Sequence, residues 1–315
     1  MTATGTGSAP GTADRTAATG RTGTVTGRAG TVTERTGSAD RTNTATRATA
    51  LTWNLLDRRP ADIPVATSET VPVTPDWAYG GADGSGVRVC VVDSGVEAGH
   101  PLVGEVVASH AVVGRDGGLT VERVEPMDTC GHGTACASIV RRVAPGCELH
   151  SVRILGENGG GTGAALLAGL SWAIEQRFDV INLSLSTSRP QFSQVLREMA
   201  DDAYFNRSVI VASAHNSRIE SFPWRFSSVI SVGSHAEDDS DLVLYNPDPP
   251  VEFFARGQAV QVAGPNGSTT RNTGNSFAAP HVTGLSALIL GKHPRLTSFE
   301  LKTILYLTAA NVRGV

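Results

Sequence analysis

Residues 87–95 read Val-Arg-Val-Cys-Val-Val-Asp-Ser-Gly. Four valines and a cysteine among the first six leave no polar face, so Val87–Val92 is predicted to be a strand buried on both sides. Strands of that kind belong to parallel sheets covered by helices on each face. The run ends on a carboxylate, Asp93, followed by Ser94 and Gly95. Open parallel sheets keep their binding crevice just beyond the C-terminal ends of the strands, which is where Asp93 falls. A lone Asp at a strand end is more often a cap for the next segment, so its partners must decide.

Outward from this run the same pattern repeats. Leu149–Ile154, Val180–Leu185 and Val209–Val211 are short aliphatic runs of strand length. Between and after them, 130–142, 162–177, 191–205, 276–290 and 298–307 place apolar residues at helical spacing. More polar strand candidates lie between Val229 and Val262. The alternation predicts an α/β fold of three layers, a mostly parallel central sheet with helices on both faces.

The chain divides by composition. Residues 1–50 are almost entirely Thr, Ala, Gly, Ser and Arg, with only Met1, Val25 and Val32 as larger apolar side chains. Such a segment buries too little apolar surface to offset the entropy of ordering, so a disordered low-complexity tail is expected there. Its six arginines are dispersed among three acids, which reads as a solvated linker rather than a docking arm. A linker or short extension is expected over 51–74, and the folded domain over 75–315. The extension, about 25 residues, is too short for a folded domain of its own.

A net charge of -4 and a pI near 6.1 lack the basic excess that phosphate backbones require, so nucleic acid is not an expected partner. No run approaches the roughly 18 consecutive apolar residues of a membrane span, and none in the first fifty residues resembles a secretory leader. Cys90, Cys130, Cys136 and Cys147 form neither a dense disulfide framework nor a zinc spacing. These features together predict a cytoplasmic protein with reduced thiols. Nothing in the sequence speaks to oligomeric state.

Two further segments carry chemistry. In Gly131-His132-Gly133-Thr134 an imidazole sits at a helix start, between glycines that leave room for a ligand and pack a core poorly. In Gly274-Asn275-Ser276-Phe277-Ala278-Ala279-Pro280-His281, Pro280 is read as lying in the first turn of a helix, where a missing N–H costs little. That puts Ser276 near a helix N-terminus, whose free N–H groups favour negative charge. An N-cap serine is the ordinary alternative. The three together change the balance: a serine becomes nucleophilic when a histidine takes its proton, and a carboxylate orients the histidine.

The segments Val91-Val92-Asp93-Ser94-Gly95-Val96, Gly131-His132-Gly133-Thr134 and Ser276-Phe277-Ala278-Ala279-Pro280-His281 resemble, in that order, the three active-site segments of the subtilisin-like serine peptidases. The resemblance implies Asp93, His132 and Ser276 as catalytic triad. Val211-Ala212-Ser213-Ala214-His215-Asn216 is similar to the segment carrying the family's oxyanion-hole asparagine, implying that role for Asn216. It also implies substrate binding along Gly159-Gly160-Gly161 and Ser184-Leu185-Ser186, with Ser213, Ala214 and Ser221 around the first specificity pocket. Glu220 is a candidate selector of basic residues there, with a solvated charge as its alternative.

Cys136, one helical turn after His132 as in the proteinase K-like branch, is expected beneath the imidazole. Four positions depart from the family pattern: Ala135 stands for its usual second histidine, His215 for a common glycine, Asn275 for the usual threonine and Phe277 for the usual methionine. The chemistry needs no cofactor. Many relatives hold structural calcium, yet no acidic cluster here has a calcium-loop spacing, so no metal ligand is assigned.

What the resemblance implies is a serine endopeptidase acting on peptide or protein substrates through an acyl-enzyme, in a specialised processing role. Two alternatives share the fold. Peptide ligation or cyclisation requires a lid that excludes water, and the intervals of 39, 84 and 60 residues between Asp93, His132, Asn216 and Ser276 leave little room for one. A peptide-binding pseudo-peptidase would keep strand pairing without turnover.

Overall fold

The computed structural model describes residues 72–115 and 117–312. The chain divides into two units, Met1–Thr67 and Ser68–Val315, and every described residue belongs to the second. The tail expected at 1–50, and all but the end of the extension expected at 51–74, lie outside the described residues.

The valine run forms β1 (Arg88–Asp93), fully buried from Val89 onward. Val89 and Val91 pack into one hydrophobic core, Cys90 and Val92 into a second on the opposite face. This is the two-sided burial that the sequence demands. The strands that follow are β2 (Ala108–Arg115), β3 (Gly118–Val124), β4 (Glu148–Arg153), β5 (Val180–Leu183), β6 (Val209–Ser213), β7 (Ile230–His235), β8 (Leu244–Tyr245) and β9 (Phe253–Arg256). They make one sheet in the order β3-β2-β4-β1-β5-β6-β7-β9-β8. Pairing is parallel from β2 through β9, and only the edge strands β3 and β8 run antiparallel. A separate hairpin joins β10 (Val260–Ala263) to β11 (Thr269–Asn272).

Helices cover both faces. α1 (Pro75–Tyr79), α2 (His132–Val143), α5 (Asn275–Lys292) and α6 (Ser298–Thr308) contribute to the first core, α3 (Gly163–Glu175) and α4 (Ser193–Phe205) to the second. α6 starts on a reciprocal capping box between Thr297 and Glu300, which satisfies two amides that the helix leaves unpaired.

Element boundaries shift where tertiary contacts intervene. The helix expected from Cys130 begins at His132, because Gly131 adopts the left-handed conformation at φ 84. The strand expected to reach Leu185 stops at Leu183, and Ser184 turns to bond the backbone of α5. The β2–β3 hairpin has no counterpart in the sequence reading. β3 is largely exposed and polar, so neither a buried run nor strict alternation marks it.

At the far end of α2, Arg141 gathers two loops. Its Nε donates to the Val103 carbonyl at 2.9 Å, Nη1 to Pro145 and Cys147 at 2.8 Å each, and Nη2 to Glu105 at 2.9 Å. One cation in the last turn of the helix thus serves four carbonyls and complements the helix dipole.

Candidate active site

Asp93 ends β1 with no exposed surface, and its Oδ1 accepts from the Ser94 N–H at 2.7 Å. The same oxygen lies 2.8 Å from His132 Nδ1. Oδ2 is buried with no hydrogen-bond partner among the described residues, so His132 is the carboxylate's main compensation. Nδ1 of His132 therefore carries a proton and Nε2 is left as the basic atom.

His132 is placed by residues that sequence reasoning did not single out. Asp128 Oδ1 accepts from the amides of Cys130 and Gly131 and from Ser94 Oγ, while Oδ2 accepts from the Thr134 amide and hydroxyl. Gly131, the N-cap by position, has no side chain to do this. Asp128 caps α2 from outside and ties it to the residue after Asp93. The available signal was an acid just ahead of a helix start. Gly133 brings the helix closer still: a Cβ there would meet the Gly95 carbonyl oxygen at 2.0 Å. No other residue lets α2 approach β1 this way.

Ser276 is the second residue of α5. Because the helix begins at Asn275, Pro280 falls in its second turn rather than the first, which corrects the sequence expectation. Its missing N–H deprives the Ser276 carbonyl of its helical partner. Ser184 Oγ donates to that carbonyl at 2.8 Å, and Cys136 Sγ lies 3.5 Å from it. Ser184 is fixed in turn by Asn182 Nδ2 at 3.0 Å, and Asn182 Oδ1 accepts from Thr283 Oγ1 at 2.9 Å. A buried polar chain, reaching the cleft wall at Ser184, thus ties α5 to β5.

Asn216 follows β6 by three residues and stands near Ser276. Its Oδ1 accepts from the Asn275 N–H at 2.8 Å, so Nδ2 is the end free to donate. A Cβ on Gly274 would lie 3.2 Å from Ser276 Oγ and 3.4 Å from Asn216 Nδ2, which measures how close these two groups stand. Asn275, one of the unusual residues, links the parts: its Oδ1 accepts from the Ser234 N–H at 3.0 Å and its Nδ2 donates to the His215 carbonyl at 3.3 Å. Phe277, another, turns away into a small core with Ala135, Ile139, Val260 and Val262, and its ring meets that of His132 at 5.4 Å. Neither narrows the cleft.

His132, Ser276 and Asn216 line one cleft of about 340 Å³ with Gly159, Ser184, Leu185, Ser186, Ser213 and Ala214. Leu155 and His215, not singled out as binding residues, line it as well. Gly160 and Gly161 are exposed beyond this wall, and the Gly160 carbonyl accepts from the Gly156 N–H at 2.9 Å, closing a turn. Ser221 is fully buried rather than at the pocket surface: its Oγ accepts from Trp224 Nε1 at 2.8 Å and from Ser186 Oγ at 3.1 Å, backing the wall. Glu220 is exposed and paired with Arg225 Nη1 at 3.2 Å, outside the cleft lining.

Beneath the imidazole lies Cys136, its Sγ 4.0 Å from Nδ1. The His132 pKa is raised, with Cys136 and then Asp93 as the neighbours that favour the cation. Burial of the imidazole works against the cation, and burial of the Cys136 thiol pushes its own pKa up, keeping it protonated and uncharged; Asp93 is then the negative charge that favours the imidazolium. Ligand atoms of Asp93, His132 and Cys136 fall within 4.8 Å of one another. One carboxylate among them does not suit calcium, which takes six to eight oxygens, but a thiol beside an imidazole suits a soft ion. A stoichiometric organomercurial is therefore expected to abolish activity by occupying Cys136. Cys136→Ala should remove the sensitivity and Cys130→Ser should not; sensitivity retained in Cys136→Ala would place the reaction elsewhere.

Residues 84–315 match the model of the Subtilase family, Peptidase_S8. Subtilisin DY of Bacillus licheniformis is 32% identical over 247 residues, 74% of this chain and 86% of that protein. Subtilisin E of Bacillus subtilis (strain 168) is 30% identical over 244 residues, 73% of this chain and 62% of that protein. Among solved structures, a cold-adapted subtilisin-like serine proteinase is similar with a TM-score of 0.57 and 27% identity, over 71% of this chain and 82% of that one. The chain belongs to the subtilase family of serine endopeptidases.

Proposed function

We propose that Ser276 is the nucleophile of peptide-bond hydrolysis. His132 takes the Ser276 proton through Nε2 and returns it to the leaving amine, and Asp93 holds the tautomer and stabilises the imidazolium. Asn216 Nδ2 and the Ser276 N–H receive the oxyanion. The substrate lies extended against Leu155–Gly159 on one side and Ser184–Ser186 on the other. What supports this most is the opening of the Asp93–His132 pair into the same cleft as Ser276 and the Asn216 amide. No Ser276 Oγ to His132 Nε2 hydrogen bond occurs among the described residues; in free enzymes such bonds are often long and tighten on substrate.

We assign the enzyme to selective processing of peptide or protein substrates in a reducing compartment, the cytoplasm. All four cysteines are free, and Cys90, Cys136 and Cys147 are buried, as suits thiols never meant to pair. No helix among the described residues is long and apolar enough to cross a membrane.

Ser276→Ala tests the assignment. A fluorophosphonate should label the wild-type serine and not the variant, and turnover should fall to the roughly 10³- to 10⁴-fold over water that binding and an oxyanion hole supply alone. Undiminished turnover in the variant would remove Ser276 from the mechanism. A folded wild type that is never labelled would be a peptide-binding pseudo-peptidase, and transfer of the acyl group to amines in preference to water would make it a ligase.

A further inference from the structure

His215 stands on the cleft wall one residue before Asn216. Apart from His132 it is the only side chain on that wall, among the described residues, that can carry charge. Its backbone is held on both sides: the Ala214 N–H donates to the Val232 carbonyl at 2.8 Å, and Asn275 Nδ2 to the His215 carbonyl at 3.3 Å. The imidazole is oriented too, since the Ser217 N–H donates to Nδ1 at 2.9 Å. The Ser217 carbonyl stands 3.2 Å from the same nitrogen; a backbone amide can only donate, and its shorter contact assigns the lone pair to Nδ1 and the ring proton to Nε2. Nε2 makes no hydrogen bond to the described residues and is not among their buried unpartnered atoms. That nitrogen is the ring's free donor, on a residue of the cleft wall next to Asn216.

We infer that His215 selects substrates whose residue on the acyl side of the scissile bond carries a hydrogen-bond acceptor, above all the carboxylate of Glu or Asp. The inference rests on the acyl-transfer reading of the cleft. The surroundings agree with it. The wall presents no carboxylate to repel an acidic side chain, Glu220 nearby is paired with Arg225, and Arg218 is exposed on the loop that follows His215. With a glycine at 215, and His132 and Asn216 engaged in the acyl-transfer reading, Leu155, Gly159, Leu185, Ala214 and neutral serines would remain to meet the side chain, a wall that favours apolar residues.

Peptides identical except for Glu, Gln, Leu or Lys at that residue test the inference, with fluorophosphonate labelling of Ser276 measured on every protein. Wild type is expected to favour Glu over Leu, and His215→Gly to lower the Glu-to-Leu ratio of kcat/KM by roughly 10- to 100-fold, the range of a hydrogen bond to a charged group. His215→Arg should keep the ratio high, which a merely structural role for the imidazole would not predict. A labelled, peptide-cleaving wild type whose ratio is unchanged in His215→Gly, or which favours Lys, overturns the role of His215 alone. A wild type that is neither labelled nor active overturns the acyl-transfer reading and this inference with it.

Discussion

Asp93→Asn is expected to lower kcat/KM by about 10⁴-fold, the loss typical of a triad whose carboxylate becomes an amide. The carboxylate does two things that an amide cannot. It accepts from His132 Nδ1, fixing Nε2 as the base, and it supplies the negative charge that raises the His132 pKa. The sign of the pH effect follows. His132 can act as a base only when neutral, so in the wild type activity should climb with pH through the His132 pKa, which the Asp93 charge holds up. Without the Asp93 charge that pKa falls, and the acid limb moves to lower pH while the plateau drops. Full pH profiles of kcat/KM for both proteins check this. An acid limb that stays in place would mean that another group sets it.

Much of this site is legible in the sequence because its chemistry sits on strong local signals. A doubly buried strand ends at Asp93, a glycine-flanked histidine opens α2, and Ser276 lies in the first turn of α5. What escaped the sequence is what depends on distant partners. Asp128 looks like any loop acid until α2 folds onto it. Asn275 read only as a departure from the family pattern, yet it joins Asn216, Ser234 and His215 across separations of 59, 41 and 60 residues. Ser221 fell behind the pocket wall because Trp224 and Ser186 claim its hydroxyl. Pro280 was misplaced by one turn, and only the fold shows that Ser184 and Cys136 serve the carbonyl it orphans.

Arg141→Leu should carry the largest stability loss outside the site, about 2 to 4 kcal/mol. Four carbonyls on two loops accept from one guanidinium. A hydrogen bond to a charged group contributes about 1.5–3 kcal/mol, but Arg141 is only half-buried, and the freed carbonyls recover part of that from water. Arg141→Lys should rescue only a fraction, since an ammonium does not reproduce the planar fork. Urea unfolding of the three proteins measures this. A loss below 1 kcal/mol in Arg141→Leu would mean that the loops hold without the cation.

The polar links at Ser276 also bear on when the enzyme comes into being. Its carbonyl is held from Ser184 and Cys136, 92 and 140 residues earlier in the chain, and the Asp93–His132 pair closes another 39. Contacts this distant form late, because the entropy of closing long loops comes before any reward. Ser276 follows all of these partners in the chain, so the cleft is not assembled until β1, α2, β5 and α5 have come together. Catalytic competence is thereby tied to the folding of the whole domain rather than to any one local segment.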